Sequence, residues 1–219
     1  LVLTGSWAHA ADAITDAMQA AYAPYRMALY KTNGSSQAES LQALQQAQQA
    51  WDKLATQYGA KPVSPYDRDT GFLASLTEVS RVYAKAQEEI SSNQLKAAHN
   101  TLEHARDAMA QLRQRNQIVV FSDHMNGYHE AMEHILIHGT ATLAQPKGLL
   151  QMAASSGVLN YLSKRLASQA PAELLQNPDF MALLKAVDQS ATALDSAVMK
   201  EDAVAIKEAI TKLKSPYSK

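Results

Sequence analysis

Residues 37–58 read QAESLQALQQAQQAWDKLATQY, followed by Gly59, and this stretch decides the fold. Ala, Gln, Leu, Lys and Glu, all good helix formers, make up most of it, and glycine is a natural stop. The same residue palette recurs along the chain. Helical segments are expected over about 12–30, 37–58, 72–90, 95–115, 122–138, 149–167, 180–199 and 203–214, separated at Pro, Gly, Asn and Ser clusters. Pro24 is expected to kink or restart the first segment, and Gly139 to close the fifth. The fold class that follows is all-α, an antiparallel helical bundle of about seven to eight helices. Three helix pairs, over 28–51, 84–106 and 197–214, share a pattern: a helix end, a short polar turn, then Ala and Leu at helical spacing. Short turns force antiparallel pairing, and the likeness is that of duplicated hairpins.

Composition sets the outer limits. The 219 residues carry 20 basic and 21 acidic side chains, so no basic surplus points to nucleic acid or to a charged membrane surface. A chain of this length buries on the order of 70% of its unfolded surface, enough to fold without metal or disulfide. No stretch reaches the roughly 20 apolar residues of a membrane span, so membrane insertion is not expected. Residues 1–10 end in Ala8-His9-Ala10 after an apolar Leu1-Val2-Leu3, which reads as the tail of an export signal or as the frayed start of the first helix. On the first reading the protein is periplasmic. The remaining chain, 11–219, is expected to form a single domain, with a sub-boundary near the Pro62- and Pro65-containing stretch 60–70.

Cysteine is absent, whereas there are 7 His and 8 Met, which moves any metal chemistry toward imidazole, carboxylate and thioether. Beyond residue 10 the histidines are His99, His104, His124, His129, His134 and His138, all within two consecutive helical segments. His129-Glu130-Ala131-Met132-Glu133-His134 misses the zinc-protease pattern H-E-x-x-H by one residue, and H-x-x-E-H likewise. No Glu-x-x-His pair of the di-iron bundles is present, nor a Cys-x-x-Cys-His for covalent haem.

At about 100° per residue, the apolar face of the fifth segment is Phe121, Met125, Tyr128, Met132, Ile135 and Leu136, with His129 and Glu133 flanking it. The fourth segment has an apolar face of Leu95, Ala98, Leu102, Ala105 and Met109, flanked by His99 and Glu103. Both helices thus carry His-x-x-x-Glu at the edge of the core. With an early start to the fifth segment, His99, Glu103, His129 and Glu133 come level and would share a transition metal such as iron, copper or zinc. An extended stretch over 118–121 would shift those levels. The competing reading is an ion-pair network, since His and Glu four apart pair on any helix and Arg106 lies beside Glu103. Met125 and Met132 suit copper(I) if turned inward, and core packing otherwise. Glu130, His134 and His138 form a second stripe, either a solvated face or a surface metal or docking site. Tyr22, Tyr25 and Arg26 near Pro24 are pocket candidates.

Gly127-Tyr128-His129-Glu130-Ala131-Met132-Glu133 resembles the Gly-x-His-x-x-Glu signature of imelysin-like periplasmic proteins, with Glu133 one residue beyond the signature's Glu. The resemblance implies a helical bundle associated with iron uptake, in which His129 and an acidic neighbour touch the metal. The closing stretch 203–217 is similar to the last helix of soluble b-type cytochromes, although Tyr217 and Ser218 stand where a haem-ligating His would be. The expected function is therefore metal uptake, storage or delivery, without catalysis, because no side chain is distinguishable as a general base beside an open metal position. A membrane transporter or an electron-transfer protein is the expected partner. The alternatives are a non-covalent haem bundle, pairing His129 with Met18 or Met27, and a metal-free interaction module.

Overall fold

Ser36 opens a helix with a reciprocal pair of bonds: its hydroxyl accepts from the Glu39 N–H at 3.3 Å, while the Glu39 carboxylate accepts from the Ser36 N–H at 3.2 Å. From that box helix α2 runs over Gln37–Tyr58, the span read from the sequence. The computed structural model describes residues 12–34 and 36–217, and among them there are helices and no strands. The stretch read as an export signal, 1–10, lies outside the described residues. Among the described residues there are eight helices of ten or more residues, and the protein is an all-α antiparallel helical bundle.

The chain divides between Val119 and Val120 into two compact units. This differs from the expected single domain with a sub-boundary near 60–70. The 60–70 stretch is rich in proline, yet its single 3-10 turn, Tyr66–Arg68, buries Tyr66 in the core of the first unit and so belongs to it.

The first unit is an up-and-down four-helix bundle of α1 (Ala13–Thr32), α2, α3 (Phe72–Ser91) and α4 (Leu95–Arg115). Cross-bonds set the directions. Trp51 Nε1 donates to the Leu76 carbonyl and Gln37 Nε2 to that of Ile90, so α2 and α3 are antiparallel. The Tyr25 hydroxyl donates to the Leu102 carbonyl and His99 meets that of Leu29, so α1 and α4 are antiparallel too. Pro24 neither stops nor restarts α1, because Ala21, Tyr25 and Ala28 on either side of it are buried and packing holds the helix across the missing bond. Tyr25 is a core residue packed on Tyr22 and Tyr83, rather than the wall of a pocket. Asp69, just after the 3-10 turn, accepts from Arg115 Nη2 at 2.8 Å, from Asn116 Nδ2 at 2.8 Å and from the Gly71 N–H at 2.9 Å. That clasp ties the connector to the end of α4.

The second unit contains α5 (Phe121–Leu143), α6 (Gly148–Gln169), the short α7 (Ala172–Leu175), α8 (Pro178–Met199), α9 (Ala203–Lys212) and α10 (Lys214–Tyr217). Gly139 does not close α5. It sits mid-helix and buried, where its missing side chain leaves room for Ile210 Cδ1 of α9 and Met152 Cε of α6. Between α6 and α8 runs a polar seam. Ser156 and Asn160 donate to the two oxygens of Asp195 at 3.0 and 3.1 Å, and Ser163 donates to Asp188 at 2.8 Å.

Three helix ends share one device. At Asn93, Gln117 and Glu201 the backbone turns left-handed, with φ of 56°, 59° and 56°. In each case that residue's N–H bonds three residues back and the next N–H bonds five back, as in Asn93 to Ile90 and Gln94 to Glu89. The hairpins α3–α4 and α8–α9 therefore turn alike, one in each unit.

Candidate metal centre: two helix-borne His and Glu pairs

Helix α4 buries Ala98, Leu102, Ala105 and Met109, with Leu95 packed against them, so its apolar face is the one read from the sequence. That burial fixes the rotation of α4 and leaves His99 and Glu103 half-buried at its edge, with side-chain exposures of 22% and 33%. His99 Nδ1 lies 3.0 Å from the Leu29 carbonyl oxygen and 3.3 Å from Thr32 Oγ1. A carbonyl can only accept, so Nδ1 carries the proton and Nε2 keeps its lone pair in the neutral ring. Nε2 faces Glu103 Oε1 at 3.9 Å. On its other side Glu103 has Arg106 Nη1 at 3.8 Å. Burial works against the charge on Arg106, but Asp107, Tyr25 and Glu103 together outweigh it and raise its pKa.

Helix α5 repeats the arrangement in the second unit. Tyr128, Met132 and Ile135 are buried, with Phe121, Met125 and Leu136 packed on them, so both methionines are in the core. His129 and Glu133 stand at the edge, with Nε2 and Oε1 3.6 Å apart. The imidazole stacks on Tyr217 of α10 at a centroid distance of 5.2 Å, and Tyr217 donates its hydroxyl to the Met125 carbonyl at 3.1 Å. The contacts of Leu29 and Thr32 with His99, and of Tyr217 with His129, are not signalled by the sequence.

His99 and Glu103 belong to one unit and His129 and Glu133 to the other, so the structure describes two His and Glu pairs. The early start of α5 that would bring all four level is not met. Residues 118–120 are non-helical, Val120 is extended, and α5 begins at Phe121. Among the described residues no group of three or more His, Cys, Asp or Glu side chains is arranged to hold a metal ion.

In both pairs the nitrogen-to-oxygen distance is too long for a hydrogen bond. Two donors on one metal at about 2.1 Å, subtending a tetrahedral angle, stand about 3.4 Å apart, so each pair needs to close by about half an ångström or less to chelate. Met18 lies in the first unit's core at 1% exposure, and Met27 is half exposed. His104 lines a groove of about 430 Å³ between α3 and α4 with Glu78, Arg81, Lys85 and Asp107, where Arg81 and Glu78 already pair at 2.6 Å. His124 has its pKa lowered by burial and by Arg165.

No protein-family model, curated protein or solved structure matches this chain. Among the described residues no helix is long and apolar enough to cross a membrane.

Proposed function

We propose that this protein binds a transition metal ion, iron or copper, through His99 with Glu103 and His129 with Glu133, and serves metal uptake or delivery. Each pair is a two-donor chelate. Its ligand set, imidazole and carboxylate without thiolate, suits iron, copper or zinc. The observation that carries the reading is the fixed state of His99. Its Nδ1 proton is committed to the Leu29 carbonyl, which aims the Nε2 lone pair at the Glu103 side. A backbone carbonyl behind the ligating imidazole is the usual outer support of a metal-bound histidine.

Two protein ligands leave the remaining positions to water or to a partner's donor. Such an ion exchanges readily, which suits hand-over to a membrane transporter or an electron-transfer protein better than permanent storage. The export signal read at residues 1–10 would place this exchange in the periplasm. Binding rather than catalysis is the role, since neither pair is accompanied by a distinguishable general base.

The test is calorimetric titration of the purified chain with Fe2+, Cu2+, Zn2+ and Mn2+, repeated on His99→Ala and His129→Ala. Each substitution is expected to weaken one binding event at least tenfold with helicity intact. Unchanged affinity in both variants overturns the reading and leaves the Glu103–Arg106 and His–Glu contacts as ion pairs only. A Soret band on haem addition would instead support the haem bundle.

A further inference from the structure

Helix α5 carries a third pair that the chelates above do not use. His134 and His138 stand one turn apart on its exposed side, with ring centroids 5.0 Å apart and planes inclined at 55°. At 100° per residue His134 lies roughly 140° round the helix from His129. Glu130, one turn earlier, is exposed on the same stripe. Among the described residues neither imidazole makes a hydrogen bond or an ion pair, and each has the other as its aromatic neighbour.

Folding does not account for this placement. Histidine is a mediocre helix former, and two protonated rings four residues apart repel by a few tenths of a kcal/mol. The ring spacing suits a shared ion. A metal held at about 2.1 Å by an imidazole nitrogen lies about 3.2 Å from the ring centre. Two such rings at angles between about 90° and 109° have centres about 4.5–5.2 Å apart. The observed 5.0 Å falls inside that interval.

We infer that His134 and His138 form a separate, exposed metal site on α5, taking a late divalent transition ion, Cu2+, Ni2+ or Zn2+, through two imidazole nitrogens. The other coordination positions go to water, and the carboxylate of Glu130 adds attraction from the preceding turn. Imidazole donors favour this end of the first-row series. The site rests on neither His99 nor His129, so it stands or falls independently of the function proposed above.

The experiment uses the full chain carrying His99→Gln and His129→Gln, which removes the imidazoles of the two His–Glu pairs, titrated with Cu2+ alone. One equivalent should still bind, and its electron paramagnetic resonance spectrum should show coupling to two nitrogens. Adding His134→Gln or His138→Gln should weaken that equivalent at least tenfold and leave coupling to one nitrogen. Both positions are exposed, so far-UV helicity should be unchanged. In the otherwise unaltered chain, His134→Gln with His138→Gln should also reduce retention on immobilised Ni2+, which covers the case in which the first background folds poorly. Unchanged Cu2+ affinity and nitrogen coupling, or unchanged Ni2+ retention, overturns the site.

Discussion

Tyr217 lies against His129 with its ring only 25° from parallel, although one residue belongs to the first helix of the second unit and the other to its last turn. The tyrosine also stacks on Tyr128 at 5.5 Å and is anchored through its hydroxyl to the Met125 carbonyl. An imidazole pressed on a fixed ring loses little further freedom on ligating an ion, so under the proposed function Tyr217 would preorganise His129.

Tyr217→Phe keeps both stacks and loses the bond to Met125, at a cost of about 1 kcal/mol. Tyr217→Ala loses the stacks as well and should cost about 2–3 kcal/mol. Urea unfolding measures both. Equal effects from the two variants would show that the stacking contributes nothing.

Asp69 should make the first unit acid-sensitive. Burial pushes its pKa up, but the hydrogen bonds from Arg115, Asn116 and the Gly71 N–H outweigh burial and leave it lowered. A carboxyl whose pKa falls on folding stabilises fully above its unfolded value of about 3.9, and that stabilisation is lost as pH drops through the folded value. Asp69→Asn should cost about 1–3 kcal/mol near neutrality. Its melting temperature should approach that of the unaltered protein as pH falls below about 4. A gap independent of pH would assign the effect to shape alone.

Two glycines of the second unit should respond differently to alanine. At Gly148 a Cβ would run into the Thr142 carbonyl oxygen, part of the backbone of the last turn of α5. Backbone cannot step aside, and Gly148→Ala should cost about 1–3 kcal/mol. At Gly139 a Cβ would meet Ile210 Cδ1 at 3.0 Å and Met152 Cε at 3.1 Å, both ends of flexible side chains. Helix propensity gains about 1 kcal/mol there, so Gly139→Ala should come out near neutral. Calorimetric melting of the pair separates the cases.

Glu201 holds a left-handed conformation that costs a residue with a Cβ about 1–2 kcal/mol. Glu201→Gly should raise stability by up to about 1 kcal/mol, while Asn93→Gly should gain less because asparagine tolerates this region. A fall in melting temperature for Glu201→Gly would mean that its side chain, rather than its backbone, matters at this turn.

Local signals and tertiary contacts divide what the sequence revealed. Ser36 and Gly59 bound α2, and the apolar stripes of α4 and α5 are those buried, because capping and periodicity are properties of a single helix. The His-x-x-x-Glu pairs were legible for the same reason. Gly139 misled because its local cost is overridden by packing on its neighbours, and α1 runs on through Pro24 without a restart for the same reason. The division at Val119 and Val120 carries no Pro or Gly, whereas the proline-marked stretch 60–70 is held in the first unit by Tyr66 and Asp69. Leu29, Thr32 and Tyr217 reach their histidines only through the fold, so no spacing announces them.

The clasps between α6 and α8 have a further consequence. Two rods faced with alanine and leucine can slide past one another by a turn and forfeit little, so aliphatic contact alone leaves several alignments nearly equal. Here a slip would strand the carboxylates of Asp188 and Asp195 away from Ser163, Ser156 and Asn160, each stranded group costing about 1–3 kcal/mol. Alignment of those two helices is thus dictated by five small hydrophilic groups, while the oily residues beside them supply the bulk of the buried area.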